Sequence, residues 1–331
     1  MTGTVGITGL GLYLPEGRMS AAGIAAASGL PVEVVRDKLG ILQKPVPGPD
    51  DHPNAMAVQA ARAALLDARL DPAELDVIVC MTEEYKEYPV WTAGIDLAER
   101  LGATRAWAFD VGQKCGTFNL ALHLAQALLA ADGKARHVLV AGGYRNGDLV
   151  DYANPNVRFM FNLGAGAAAA VVSRGAGHPV LGSRFITDGS FSRDVIVPVG
   201  GTLAPVTAEN AAGFRLQVPD PAGMKDRLEA KSLQNFLNVI RGASSDAGFG
   251  TIDYLALLHM KPSAHRYLLG QLGLSDAQSI YLNEFGHIGQ VDQVLSLLLA
   301  RDRGLLKPGA RVVLAAAGVG YVWNAIALRW N

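Results

Sequence analysis

The sequence predicts an α/β protein made of two copies of one unit, each copy built on a largely parallel sheet. Three observations carry this. The chain, at 331 residues, is too long for one ordinary core. Continuous apolar runs of strand length, such as Leu75–Met81 and Ala135–Gly143, alternate with segments whose apolar residues recur at helical spacing. The chain also repeats itself: Leu75-Asp-Val-Ile-Val is echoed by Ile252-Asp-Tyr-Leu-Ala, and Lys134-Ala-Arg-His-Val-Leu-Val-Ala by Gly309-Ala-Arg-Val-Val-Leu-Ala-Ala. Asp76 and Arg136 stand 60 residues apart, Asp253 and Arg311 stand 58 apart, so the echo keeps its spacing. The first copy ends near Arg174, which divides the chain into halves 1–174 and 175–331, with a connecting region before the second set of elements.

Taken in order, Val5–Pro15 opens as a strand. Its Gly9-Leu-Gly11 is not a dinucleotide fingerprint, because Leu14 stands where the third glycine belongs and Pro15 follows where a helix should already run. Ser20–Ser28 and Pro31–Leu39 read as short helices, and Pro47–Pro53 as a loop by composition. Asn54–Leu70 is a helix with a small-residue face (Ala57, Ala60, Ala61, Ala64) able to lie close against a sheet. Leu75–Met81 follows as a strand buried on both faces, with Cys80 a core residue in it; Thr82, Glu83 and Glu84 lie just past its carboxyl end. A helix over Ala93–Leu101, a short buried strand at Ala106–Asp110, a helix through Leu129, a strand at Ala135–Gly143, an irregular stretch Tyr144–Phe161 and a strand of small residues from Asn162 to Val172 complete the first copy. In the second, Tyr254–Leu258 ends in His259, a helix runs through Tyr267–Leu272, Asn283-Glu-Phe-Gly-His287 precedes a helix at Val291–Ala300, and strand Arg311–Ala316 ends in Gly318-Val-Gly320.

Composition narrows the function classes. The formal net charge is −1, which argues against a nucleic-acid binder or a polybasic membrane protein. The N-terminus, Met1-Thr-Gly-Thr-Val-Gly-Ile, has no basic stretch followed by an apolar core, and the apolar runs are too short to span a bilayer, so a soluble, cytoplasmic protein is expected. With only two cysteines and no CxxC spacing, neither a disulfide framework nor a metal site is expected.

Cys115 is the centre of the functional reading. It falls where the strand before it hands over to a helix carrying Phe118, Leu122, Ala125 and Leu129 on one face. Free backbone N–H groups and the positive end of the helix dipole favour thiolate there. Lys114 adds positive charge, and Gly116 lets a substrate approach the backbone. The plainer reading is a small buried apolar residue. In open α/β sheets ligands gather outside the carboxyl ends of strands, and Glu83, Cys115, His259, His287 and Gly318–Gly320 all lie at or just past such ends.

On these residues the chain resembles the thiolase-like superfamily, nearest to the β-ketoacyl-acyl-carrier-protein synthase III group, with a secondary likeness to 3-hydroxy-3-methylglutaryl-CoA synthase. The Gly-Leu-Gly-Leu-Tyr-Leu-Pro opening, the Cys115 turn, Gly164-Ala-Gly-Ala, His259, Phe285-Gly-His287 and Gly318-Val-Gly-Tyr-Val-Trp323 carry the likeness in order along nearly the whole chain. The resemblance implies a five-layered α-β-α-β-α fold of two duplicated halves and an acyltransferase that forms an acyl-cysteine at Cys115. Backbone N–H groups of Cys115 and Gly320 would form the oxyanion hole, and His259 would bind the second thioester carbonyl or act as acid or base. Coenzyme A or acyl-carrier-protein thioesters would be substrates, with no permanently bound cofactor, in fatty-acid or polyketide synthesis, by a homodimer. Arg36, Lys38 and Lys261 are the candidate contacts to the donor, although by residue type Arg36 and Lys38 read as a solvated face.

The chain departs from the group in three places. His287 stands where the group carries asparagine, His259-Met-Lys-Pro-Ser replaces a His-Gln-Ala-Asn run, and no tryptophan for the adenine of coenzyme A lies near Val34–Arg36. Alternatives are a non-decarboxylating condensation of the hydroxymethylglutaryl-CoA synthase kind with Glu83 as base, and a non-catalytic subunit of a heteromeric synthase.

Overall fold

The computed structural model describes residues 4–331; Met1–Gly3, part of the N-terminal stretch read above, lie outside the described residues. The elements follow in order as β1 (Val5–Tyr13), β2 (Arg18–Ser20), α1 (Ala21–Ser28), β3 (Gln43–Pro45), α2 (Pro53–Ala68), β4 (Val77–Met81), α3 (Ala93–Leu101), β5 (Trp107–Val111), α4 (Thr117–Ala131), β6 (His137–Tyr144) and β7 (Gly166–Arg174). Then come β8 (His178–Thr187), α5 (Pro221–Asp246), β9 (Tyr254–Leu257), α6 (Pro262–Leu272), α7 (Asp292–Asp302), β10 (Arg311–Gly318) and β11 (Val322–Arg329). Local chemistry accounts for several boundaries. The Ser20 hydroxyl accepts from Gly23 N–H at the head of α1, Asp220 accepts from Gly223 N–H at the head of α5 with Pro221 in its first turn, and Gly102 closes α3 in the left-handed region.

The strands run in the order β5-β4-β6-β7-β1-β8-β11-β10-β9. Only Gly6 with Pro179 and Ile7 with His178 pair β1 to β8, so the ladder is two sheets joined at a narrow seam. Alternation along each strand divides the apolar residues among three cores. Val77, Val79 and Met81 of β4, with Val312 and Leu314 of β10, face a central core shared with α4 and α7. Ile78 and Cys80 face a second core under α2 and α3, and Val313 and Ala315 a third under α5 and α6. The layers are therefore helices, sheet, helices, sheet, helices.

The two halves use the same devices. Asp76 accepts from the backbone of Arg136 and His137 at the start of β6, and Asp253 accepts from the backbone of Arg311 at the start of β10. Gly9 and Gly11 let α2 lie on β1: a Cβ on Gly11 would stand 2.0 Å from the Ala60 carbonyl oxygen. Gly182 does the same for α5 on β8, where a Cβ would stand 2.3 Å from the Ala243 oxygen.

Four expectations need correction. The sheets are mixed, since β4 pairs in parallel with β5 and β6, and β9 with β10, while β7 and β11 run antiparallel to both neighbours. The connecting region after Arg174 holds β8 and the 26-residue α5, the first strand and outer helix of the second sheet. The strand at Ala106–Asp110 is an edge strand whose Trp107 is 54% exposed, so it is not buried. Pro31–Leu39 is helical only as a π-type turn, Val34–Lys38.

Candidate active site

The nucleophile loop is built by a forced bend. Lys114 holds φ at 52°, a conformation uncommon for a side-chain-bearing residue, and this turns the chain from β5 into α4. Cys115 lies just ahead of the helix, with Gly116 as the cap residue and Thr117 the first helical position. The loop is held from the second half: the Asn324 amide donates to the Gln113 side chain and to the Gly116 carbonyl, both at 2.9 Å, and accepts from Asn119. Gly318 leaves room for it, since a Cβ there would stand 2.5 Å from the Gln113 carbonyl oxygen and 3.2 Å from the Cys115 nitrogen. The Cys115 and Gly320 N–H groups donate to no backbone carbonyl among the described residues.

His287 is buried beside the thiol. Its Nδ1 lies 2.6 Å from Asp292 Oδ2, and the ring faces Cys115. Burial opposes charge on this imidazole, but the Asp292 carboxylate and the Cys115 sulfur outweigh it and hold the pKa well above the ordinary histidine value. Asp292 is 0% exposed, and it also accepts from the backbone N–H of His259 at 2.8 Å and of Ile288 at 2.7 Å. Tyr144, at the end of β6, also faces Cys115. Burial first, then the negative charges of Cys115, Glu83 and Asp292, hold its hydroxyl protonated.

His259 is close by but differently engaged. Its Nε2 lies 3.0 Å from the Gly40 carbonyl oxygen and its Nδ1 2.9 Å from Asn162 Nδ2. A carbonyl can only accept, so Nε2 carries the proton and Nδ1 accepts from the amide. Burial pushes the pKa of this ring down to about 4. Glu83, past the end of β4, is 5% exposed. Asn146 donates to its Oε2 at 3.3 Å, Lys114 Nζ stands 3.7 Å from the same oxygen, and Oε1 has no partner. Burial raises its pKa to about 7 against the opposing pull of Lys114. Lys114 itself pairs with Glu84, so its charge is directed to the two glutamates.

Cys115, Glu83 and His287 are thus brought together, with His259 one step behind. Cys80 points into the core under α2, away from the thiol loop. Arg36, Lys38 and Lys261 are exposed at the surface, outside this cluster, on neighbouring segments: Gly40 packs on Pro262, 2.8 Å from a Cβ built there. Arg36 is paired with Asp37. Sequence reasoning missed Asp292, Tyr144, Asn162 and Asn324. It also missed Lys44, fully buried against the Tyr152 hydroxyl at 2.7 Å and the Leu163 carbonyl at 2.6 Å, where burial lowers its pKa to about 7. No group of metal-ligating side chains is found among the described residues.

Residues 109–189 match the 3-oxoacyl-[acyl-carrier-protein] synthase III family, and residues 244–330 match its C-terminal part. The β-ketoacyl-[acyl-carrier-protein] synthase III of Nitratidesulfovibrio vulgaris is 30% identical over 337 residues, covering all of both chains. The chain belongs to the β-ketoacyl-acyl-carrier-protein synthase III family. It is an acyltransferase of the condensing type with the thiolase fold, which sets aside the reading as a non-catalytic subunit. Among solved structures, the synthase III of Aquifex aeolicus VF5 aligns with a TM-score of 0.84 at 23% identity over 98% of this chain and all of the other. Xanthomonas campestris OleA with bound lauric acid and lauroyl-CoA aligns with a TM-score of 0.83 at 19% identity, covering both chains fully. No helix among the described residues is long and apolar enough to cross a membrane.

Proposed function

We propose that this synthase takes an acyl group from a coenzyme A or acyl-carrier-protein thioester onto Cys115 and joins it to a malonyl-type thioester. The observation that carries the reading is the buried meeting of Cys115, at the head of α4, with His287. The Cys115 and Gly320 N–H groups, free of backbone acceptors, would receive the charge that develops on the thioester oxygen. His259 can serve the second carbonyl once its Nε2–H leaves Gly40, and Arg36, Lys38 and Lys261 would meet the phosphates of the donor at the surface. We read the halves 1–174 and 175–331 as the duplicated units, the protein as a cytoplasmic homodimer, and its chemistry as needing no resident cofactor.

A second reading is favoured by one feature. Glu83 keeps a free oxygen in the buried cluster and holds its proton near neutral pH, as a base for a donor with no carboxylate to lose would. Intact-protein mass spectrometry with a panel of acyl-CoAs tests the common step. The chain is expected to gain one acyl mass, lost in Cys115→Ala; an adduct that survives this substitution removes the assignment. Release of carbon dioxide from a malonyl donor then selects the first reading over the second.

A further inference from the structure

We propose that Asp292 is the positioning residue that makes Cys115 a nucleophile: it fixes His287 with Nδ1–H on the carboxylate and Nε2 toward the sulfur, so that this imidazole takes the thiol proton. The inference rests on the reading of Cys115 as the acylated residue. The geometry leaves one ring for this role. An ionised carboxylate can only accept, so the 2.6 Å contact requires the proton of His287 on Nδ1. His259 cannot do the same, because Gly40 and Asn162 occupy both its nitrogens. Asp292 cannot drift from its place: Ile288 N–H holds Oδ1, His259 N–H holds Oδ2, and the residue opens α7 inside the central layer.

The groups facing His287 come from six segments. Asp292 lies on α7, Cys115 ahead of α4, Tyr144 on β6, Glu83 past β4 and His259 past β9. Lys44 of β3 packs its Cβ near Gly286 but directs Nζ to Tyr152 and Leu163. Asp292 and the sulfur therefore dominate, and they hold the ring charged against burial.

In the step itself, the proton of Cys115 already stands on His287 Nε2, and the sulfur forms a bond to the acyl carbon. When the bond from that carbon to the donor sulfur breaks, the leaving thiolate takes the proton from Nε2 and departs as a thiol. Asp292 keeps its charge throughout.

Iodoacetamide alkylation of Cys115, followed by peptide mapping, tests the proposal without any acyl substrate. Asp292→Asn is expected to slow alkylation by about tenfold or more near pH 6.5, yet to match the parent within about twofold near pH 9.5, where the solvent removes the proton. In a His287→Ala background it should add no further loss. Equal slowing at both pH values, or an additive loss in that background, would mean that Asp292 only props the loop, and overturns the proposal. Should the variant not fold, nitrogen NMR of the unsubstituted protein with labelled histidine decides: a His287 ring protonated at Nδ1 supports it, and the tautomer with the proton on Nε2 alone overturns it. Failure of the acyl-Cys115 reading itself would show separately, as a missing acyl mass in the unsubstituted protein.

Discussion

Glu83 carries a cost that a neutral side chain would not. Burial lifts its pKa from 4.5 to about 7, so across that window the folded chain keeps a proton that the unfolded chain has released. Stability therefore falls as pH rises through the window, by up to roughly 3 kcal/mol at about 1.4 kcal/mol per unit. Glu83→Gln should melt higher than the parent at pH 8 and gain far less at pH 5, a comparison that two thermal scans make. If Glu83 is also the base of the second reading, the same variant should load Cys115 normally and lose about 10²-fold or more in condensation; unchanged condensation would leave Glu83 a buried structural carboxyl. At this scale the sequence was readable where a residue sits just past a strand end, as Glu83, Cys115 and His259 do; His287, expected at such an end too, instead follows no strand and lies in the irregular segment between α6 and α7. Asp292 escaped because an acid in the first turn of a helix already has an ordinary explanation in the helix dipole. Its tie to two histidines exists only after α7 packs beside the end of β9.

Among the elements, the contact of α2 with β1 has the least slack. Gly11→Ala would set a methyl 2.0 Å from the Ala60 oxygen and 2.5 Å from the Ala64 nitrogen, both backbone atoms inside a helix that cannot yield locally. Overpacking of this kind costs about 1–3 kcal/mol, and denaturant unfolding should show a lowered midpoint with an unchanged slope. The small face of α2 was legible because Ala57, Ala60, Ala61 and Ala64 recur at helical spacing in the chain. Its counterpart α5 was not: its buried residues cluster toward its C-terminal half, from Phe236 to Ser244, and the preceding turns are polar. The Asp220-Pro221 start signal was present and unused. Strand β8 lacks both a continuous apolar run and a clean alternation, being only half-buried along most of its length, so neither pattern for a strand applies.

For the whole molecule, the duplication could be read from two echoes because each carries an aspartate that ties a strand start, a job that needs that residue at that place in each copy. Strand direction could not be read, since small-residue strands such as β7 look alike whichever way their neighbours run. The edge tells more about assembly. Strand β7 lies inside the sheet between β6 and β1 and offers no free edge, whereas β5 ends the strand order. There Trp107 stacks on Phe109 with ring centres 5.3 Å apart. A stacked apolar pair on an open edge is a ready pairing surface. Light scattering should give a dimer at micromolar concentration and a monomer for Trp107→Glu; a monomeric parent would refute the pairing. The division of the cluster between the halves has a meaning in terms of descent. Cys115 belongs to the first copy, and His287 with Asp292 to the second, each at the head of a central helix. The copies have become complementary heirs of one unit: a recombinant with two first halves would inherit two thiols and no histidine–carboxylate pair, and one with two second halves the reverse, so only the unlike union passes on a complete centre.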